Sequence, residues 1–105
     1  MGKRLKEELD GDVAVKTKRK VKRPPRFKVM IMNDDYTPMD FVTMILMQVF
    51  NKSNMEAVKI MLTVHTNGRG LAGIYTREVA ETKIRNVTTL AKGNGYPLRC
   101  LLERE

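Results

Sequence analysis

The chain has 105 residues, 42% of them hydrophobic, enough for one domain with a single core and no more. No apolar run reaches bilayer-spanning length, and the start, Met1-Gly2-Lys3-Arg4-Leu5-Lys6, lacks the apolar segment of a secretion signal. The expectation is a soluble cytoplasmic protein with no membrane partner. Its lone cysteine, Cys100, cannot close an intrachain disulfide, and with His65 as the only histidine there are too few ligands for a zinc site; no cofactor motif appears. The net charge of +8 suggests a polyanion partner until it is located. Residues 1–25 hold nine Lys or Arg against four Asp or Glu, while the remainder carries eleven against eight. Aromatics are few and none alternates with basic residues, so the folded part offers no nucleic-acid surface.

Residues 1–25 scatter Leu5, Leu9, Val13, Ala14, Val15 and Val21 among charges and end at Pro24-Pro25, the composition of a flexible basic arm with a stiff junction. From Arg26, Phe27, Val29 and Ile31 alternate with Lys28, Met30 and Met32, a strand of period two that ends at Asn33. A first helix is predicted from about Pro38 to Phe50, with Met39, Val42, Ile45, Leu46, Val49 and Phe50 as its apolar stripe. Thr37 is placed to cap it, Pro38 suits its first turn, Asp40 can reach back to the cap, and Asn51 can end it in the left-handed conformation. Ser53 to Glu56 spell a capping box for a second helix, with Val58, Met61, Leu62 and His65 on its inner face and Asn67-Gly68 at its end. Gly70 to Tyr75 read as a second strand. Thr76 would cap a third helix over about Arg77 to Lys92, burying Val79, Ala80, Ile84, Val87 and Ala91 before Gly93-Asn94-Gly95 stops it. Leu98, Cys100 and Leu102 alternate in a last strand. The order β-α-α-β-α-β predicts an α+β core over 26–105: a small three-stranded antiparallel or mixed sheet with three helices on one face.

The stretch Asn33-Asp34-Asp35 sets acceptors between a strand and a helix start, which is also what an ordinary turn contains. His65 is a second polar residue on an otherwise apolar helical face; one local carbonyl could satisfy it, or it could meet Asn33 and Asp34 at a pocket mouth. Ile31, Met39, Val42, Met61, Val64 and Leu98 would line that pocket. Asn oxygen, carboxylate and neutral imidazole are all acceptors, so the matching ligand is a group with several N–H donors and a positive charge on a large apolar body, as in an α-amino terminus with a bulky first side chain. No Ser or Cys stands at a spacing that pairs it with His65 as a nucleophile, and Gly68-Arg69-Gly70 lacks the third glycine and following helix of a phosphate loop. A binding protein rather than an enzyme is expected.

Asn33-Asp34-Asp35-Tyr36-Thr37-Pro38-Met39-Asp40-Phe41-Val42, with Val64-His65, Gly68, Glu78-Val79-Ala80-Glu81-Thr82-Lys83 and Pro97-Leu98, closely resembles the ClpS family of proteolytic adaptors, over about residues 25–103. Position 40 is Asp where many members carry Glu, which keeps the cap chemistry. The resemblance implies an adaptor that binds N-degron proteins beginning with Leu, Phe, Tyr or Trp and delivers them to the ClpA unfoldase of the ClpAP protease. It implies that Asn33, Asp34 and His65 hold the substrate's α-amino group, and that Ile31, Thr37, Met39, Val42, Met61, Val64 and Leu98 enclose its first side chain. By the same resemblance Glu78 and Lys83 dock on the ClpA N-terminal domain, the arm engages the unfoldase during handover, and the protein is a monomer.

Overall fold

The computed structural model describes residues 23–105; the arm expected over 1–25 lies, as far as residue 22, outside the described residues. Three strands and three helices follow in the order β1 (Arg26–Met32), α1 (Met39–Gln48), α2 (Asn54–Asn67), β2 (Arg69–Thr76), α3 (Arg77–Gly93) and β3 (Arg99–Arg104). The sheet is fully antiparallel with strand order β2-β1-β3, so the first strand is the central one. Phe27, Val29 and Ile31 point from it into the core, where they meet Ile45 and Leu46 of α1, Val64 of α2, and Ala80 and Val87 of α3. On the other face Met30 is only 8% exposed, although it stands outside this core. The Arg69 to Glu103 ion pair, 2.9 Å, joins the two outer strands and must cross β1 on the face that carries Met30.

One irregularity interrupts the sheet. Val29 pairs with Gly73 but Met30 pairs with Leu71, so Ala72 is an extra residue bulged out of the ladder, and it is fully buried. Beyond the bulge Gly70 lies opposite Ile31, beneath α2. A Cβ there would come within 2.8 Å of Val64 Cγ2 and 3.3 Å of the Ile60 carbonyl, so the absent side chain is what lets α2 seat on β2.

Several expectations on helix ends and phases are met. Ser53 and Glu56 form the reciprocal capping box, Asn51 turns the chain at φ 57°, and Gly68 closes α2 in the left-handed region. Others are corrected. The cap position of α1 is Pro38, not Thr37, and neither Pro38 nor Thr76 makes a side-chain cap bond. Thr37 is held elsewhere, by Asp34. On α1 the stripe takes in Phe41, whose ring packs edge-on against Tyr96 at 4.8 Å, while Met39 is left 47% exposed. On α2 the buried stripe is Ala57, Ile60, Met61 and Val64, one residue out of phase with the expected one; Leu62 and His65 face outward. One step along a helix turns a side chain by about 100°, so such a slip exchanges wall for surface. On α3 the expected phase holds, with Ala80, Val87 and Ala91 buried and Ile84 partly buried against the core, but Val79 lies outside.

Candidate functional site

The segment between β1 and α1 is built around one carboxylate. Asp34 Oδ1 accepts from the backbone N–H of Tyr36 at 2.8 Å and of Thr37 at 2.7 Å, and Oδ2 accepts from the Thr37 hydroxyl at 2.8 Å. The following proline removes a donor and restricts Thr37 to extended geometry, which favours this local bonding over a helix cap. A carboxylate has about four acceptor directions, so these three bonds leave one, on Oδ2. Partial burial alone would raise the Asp34 pKa; the bonds from the Thr37 hydroxyl, the Thr37 amide and the Tyr36 amide outweigh it and hold the carboxyl below its ordinary value.

The end of α2 stands against this segment. The Asn33 N–H donates to the Gly68 carbonyl at 2.9 Å, which brings Asn33 beside the last turn of α2, where Val64 and His65 sit. Between α1, α2 and the 33–38 segment lies a cavity of about 370 Å³, lined by Asn33, Asp34, Thr37, Met39, Val42, Met61, Val64 and His65. All eight were candidates from the sequence. Asp35, Tyr36 and Pro38 also line it and were not, although they belong to the same motif. Ile31 and Leu98, expected in the lining, sit in the core and do not line the cavity, whose aliphatic part is made by Met39, Val42, Met61 and Val64. The volume is near the lower end of the roughly 300–1,000 Å³ of small-molecule sites. Among the described residues no Lys or Arg lines it, and two carboxylates do.

Glu78 and Lys83 lie on α3, away from that cavity. Glu78, Val79, Thr82, Lys83 and Asn86 share a shallow groove, and Val79 is 44% exposed in it. Lys83 is turned partly inward: its ammonium donates to the Val49 carbonyl at the end of α1 at 2.8 Å and stands 5.2 Å from the Tyr75 ring and 6.0 Å from that of Phe50. Cys100 packs partly buried against the core, where burial pushes its thiol up to about 12 and disfavours the thiolate.

An acceptor-rimmed apolar cavity on a small α+β domain defines a binding module. The comparisons give it a family. The profile described as ATP-dependent Clp protease adaptor protein ClpS matches residues 22–101. The ATP-dependent Clp protease adapter protein ClpS of Desulfatibacillum aliphaticivorans is 54% identical over 95 residues, covering 90% of this chain and 91% of the relative. That of Desulfotalea psychrophila is 56% identical over 84 residues, 80% and 82% of the two chains. Among solved structures, Agrobacterium tumefaciens ClpS2 bound to L-phenylalaninamide superposes with a TM-score of 0.76 at 42% identity, covering 79% of this chain and all of that one. The chain belongs to the ClpS family: it is an adaptor of the Clp protease and not itself a protease. Among the described residues no helix is long and apolar enough to cross a membrane.

Proposed function

We propose that this adaptor selects proteins by their first residue and passes them to the ClpA unfoldase of ClpAP. The substrate's α-amino group is held by Asn33, Asp34 and His65, and a bulky first side chain, Leu, Phe, Tyr or Trp, enters the cavity between Met39, Val42, Met61 and Val64. The observation that carries this reading is the convergence of acceptors and apolar walls on one cavity of about 370 Å³. L-phenylalaninamide, the molecule bound to the Agrobacterium protein, has the same chemistry as a peptide's first residue: an α-amino group, a benzyl side chain and an amide. Hydrogen bonds to an ammonium contribute roughly 1.5–3 kcal/mol each and burial of a Phe or Leu side chain about 1.5–3 kcal/mol. After the cost of association this corresponds to about micromolar affinity, suited to a carrier that must release its cargo. An acetylated or internal residue brings no charge and leaves the acceptors unpaired.

Delivery is a separate act. The α3 groove with Glu78 and Lys83 is the surface for the ClpA N-terminal domain, met by a monomeric adaptor in the cytoplasm, and the arm before Pro24 engages the unfoldase. The deciding experiment is titration of a fluorescent Phe-initiated peptide. Saturable binding without turnover, abolished by N-acetylation and indifferent to RNA, is the expected result; binding that survives acetylation rejects the amino-group reading. Removal of residues 1–20 should leave that affinity unchanged and stop degradation of a Phe-initiated protein by the cognate protease.

A further inference from the structure

The helix that carries His65 and the strand end that carries Asn33 and Asp34 come from distant parts of the chain, and one glycine joins them. Gly68 closes α2 with φ 89° and ψ −17°, its N–H donating to the Val64 carbonyl at 3.0 Å while its own carbonyl accepts from the Asn33 N–H at 2.9 Å. A Cβ on Gly68 would meet nothing within 4 Å, so there is room for a side chain; what the position demands is its dihedral angle alone. In an L-residue that conformation is disfavoured, and relaxation to negative φ would swing the carbonyl away from Asn33.

We propose that Gly68 is a positioning residue of the amino-group site: its left-handed conformation aims the carbonyl that fixes Asn33 and Asp34 against the turn bearing His65. It touches no cargo and acts through the residues that do. The inference rests on the amino-group reading above. If the clamped arrangement is populated only in a fraction of molecules, apparent affinity falls by that fraction.

The test uses the full chain and a fluorescent Phe-initiated peptide. Gly68→Ala should bind about five- to thirty-fold more weakly, the factor matching the usual penalty of a left-handed L-residue. Gly68→Asn, whose side chain tolerates that conformation, should restore binding to within about three-fold of the parent protein. A loss of stability alone would add independently to other substitutions, whereas a positioning effect disappears once the positioned group is gone. Gly68→Ala should therefore cost less than about three-fold in a His65→Ala background. Full additivity in that cycle, a folded Gly68→Ala with parental affinity, or a Gly68→Asn that binds more than ten-fold worse overturns the proposal. If Gly68→Ala does not fold, amide exchange of Asn33 in Gly68→Asn carries the test: parental protection with parental affinity supports it, and lost protection with unchanged affinity rejects it. His65→Ala with parental affinity removes the amino-group reading itself, while an impaired His65→Ala beside an unimpaired Gly68→Ala removes only the role of Gly68.

Discussion

Asp34 at the cavity and Lys83 on α3 are both charged residues proposed to meet a partner, and both are partly engaged by their own chain. The degree differs. Asp34 accepts three local hydrogen bonds that shape the very segment presenting it. Lys83 gives one of its three donors to a carbonyl 34 residues away in sequence, and two aromatic rings lie near its ammonium. The first arrangement organises a site from within; the second ties a surface helix to the end of another helix. At both positions a substitution removes a fold contact together with any partner contact, and measurements that read only the partner will confuse the two.

The sharpest break in that comparison is Asp34→Ala, which should weaken binding of a Phe-initiated peptide by about a hundred-fold, because it removes an acceptor and releases Thr37 and Tyr36 together. His65→Ala removes an acceptor only and should cost about ten-fold; equal losses in direct titration would mean that the internal bonds of Asp34 do not matter to the site. At the other region, Lys83→Met should lower stability by about 1–2 kcal/mol in a denaturant melt, through the unpaired Val49 carbonyl and the lost cation–π contacts, with peptide affinity unchanged. Docking to the unfoldase must then be compared with Glu78→Ala, since Glu78 is exposed. An unaltered melt of Lys83→Met would make Lys83 a pure surface contact. Met39→Ala, trimming a half-exposed rim residue, should admit Ile- and Val-initiated peptides at a few-fold cost in affinity for Phe; their continued exclusion in a peptide panel points to another gate. The smallest effect is the acid response of Asp34. Its folded pKa is depressed, so its contribution is complete above the ordinary value of 3.8 and disappears as pH falls through the lower folded value. Asp34→Asn should lower stability at neutral pH, where the carboxylate's contribution is complete, and flatten stability against pH in that acid window.

Strand and helix order, the capping box and the left-handed Asn51 and Gly68 were legible because each is a local event with its own residue signature. The phase of α2 was not, nor was the exposure of Val79 on α3. Val58, Met61, Leu62 and His65 satisfy a helical spacing as well as Ala57, Ile60, Met61 and Val64 do, and only the approach of β2 to a helix decides between them. Counting Leu62 and Val79 inside followed hydrophobicity, whereas the small Ala57 is what the close approach of neighbouring elements selects. The cavity residues were readable as a motif, but the bonding of Thr37 to Asp34 was hidden, since Thr before Pro is equally a cap. Nothing in the sequence announced that Lys83 faces inward, because its partner, the Val49 carbonyl, is backbone.

The bulge at Ala72 has a bearing on which insertions and deletions this sheet can accept. An unbroken ladder would bring Leu71 opposite Ile31 and turn Gly70 outward, setting a leucine where α2 needs an empty space. The extra residue absorbs that mismatch. Deletion of Ala72 would thereby keep every remaining Cα partner with β1, at the loss of a single buried methyl. Removing Ile74 or Tyr75 instead shifts part of the strand against its neighbour, and β1, paired along both edges, has no such spare position. The bulge is thus a point at which this strand can lose a residue without changing the face that its other side chains present, a few residues past the helix end that lines the cavity.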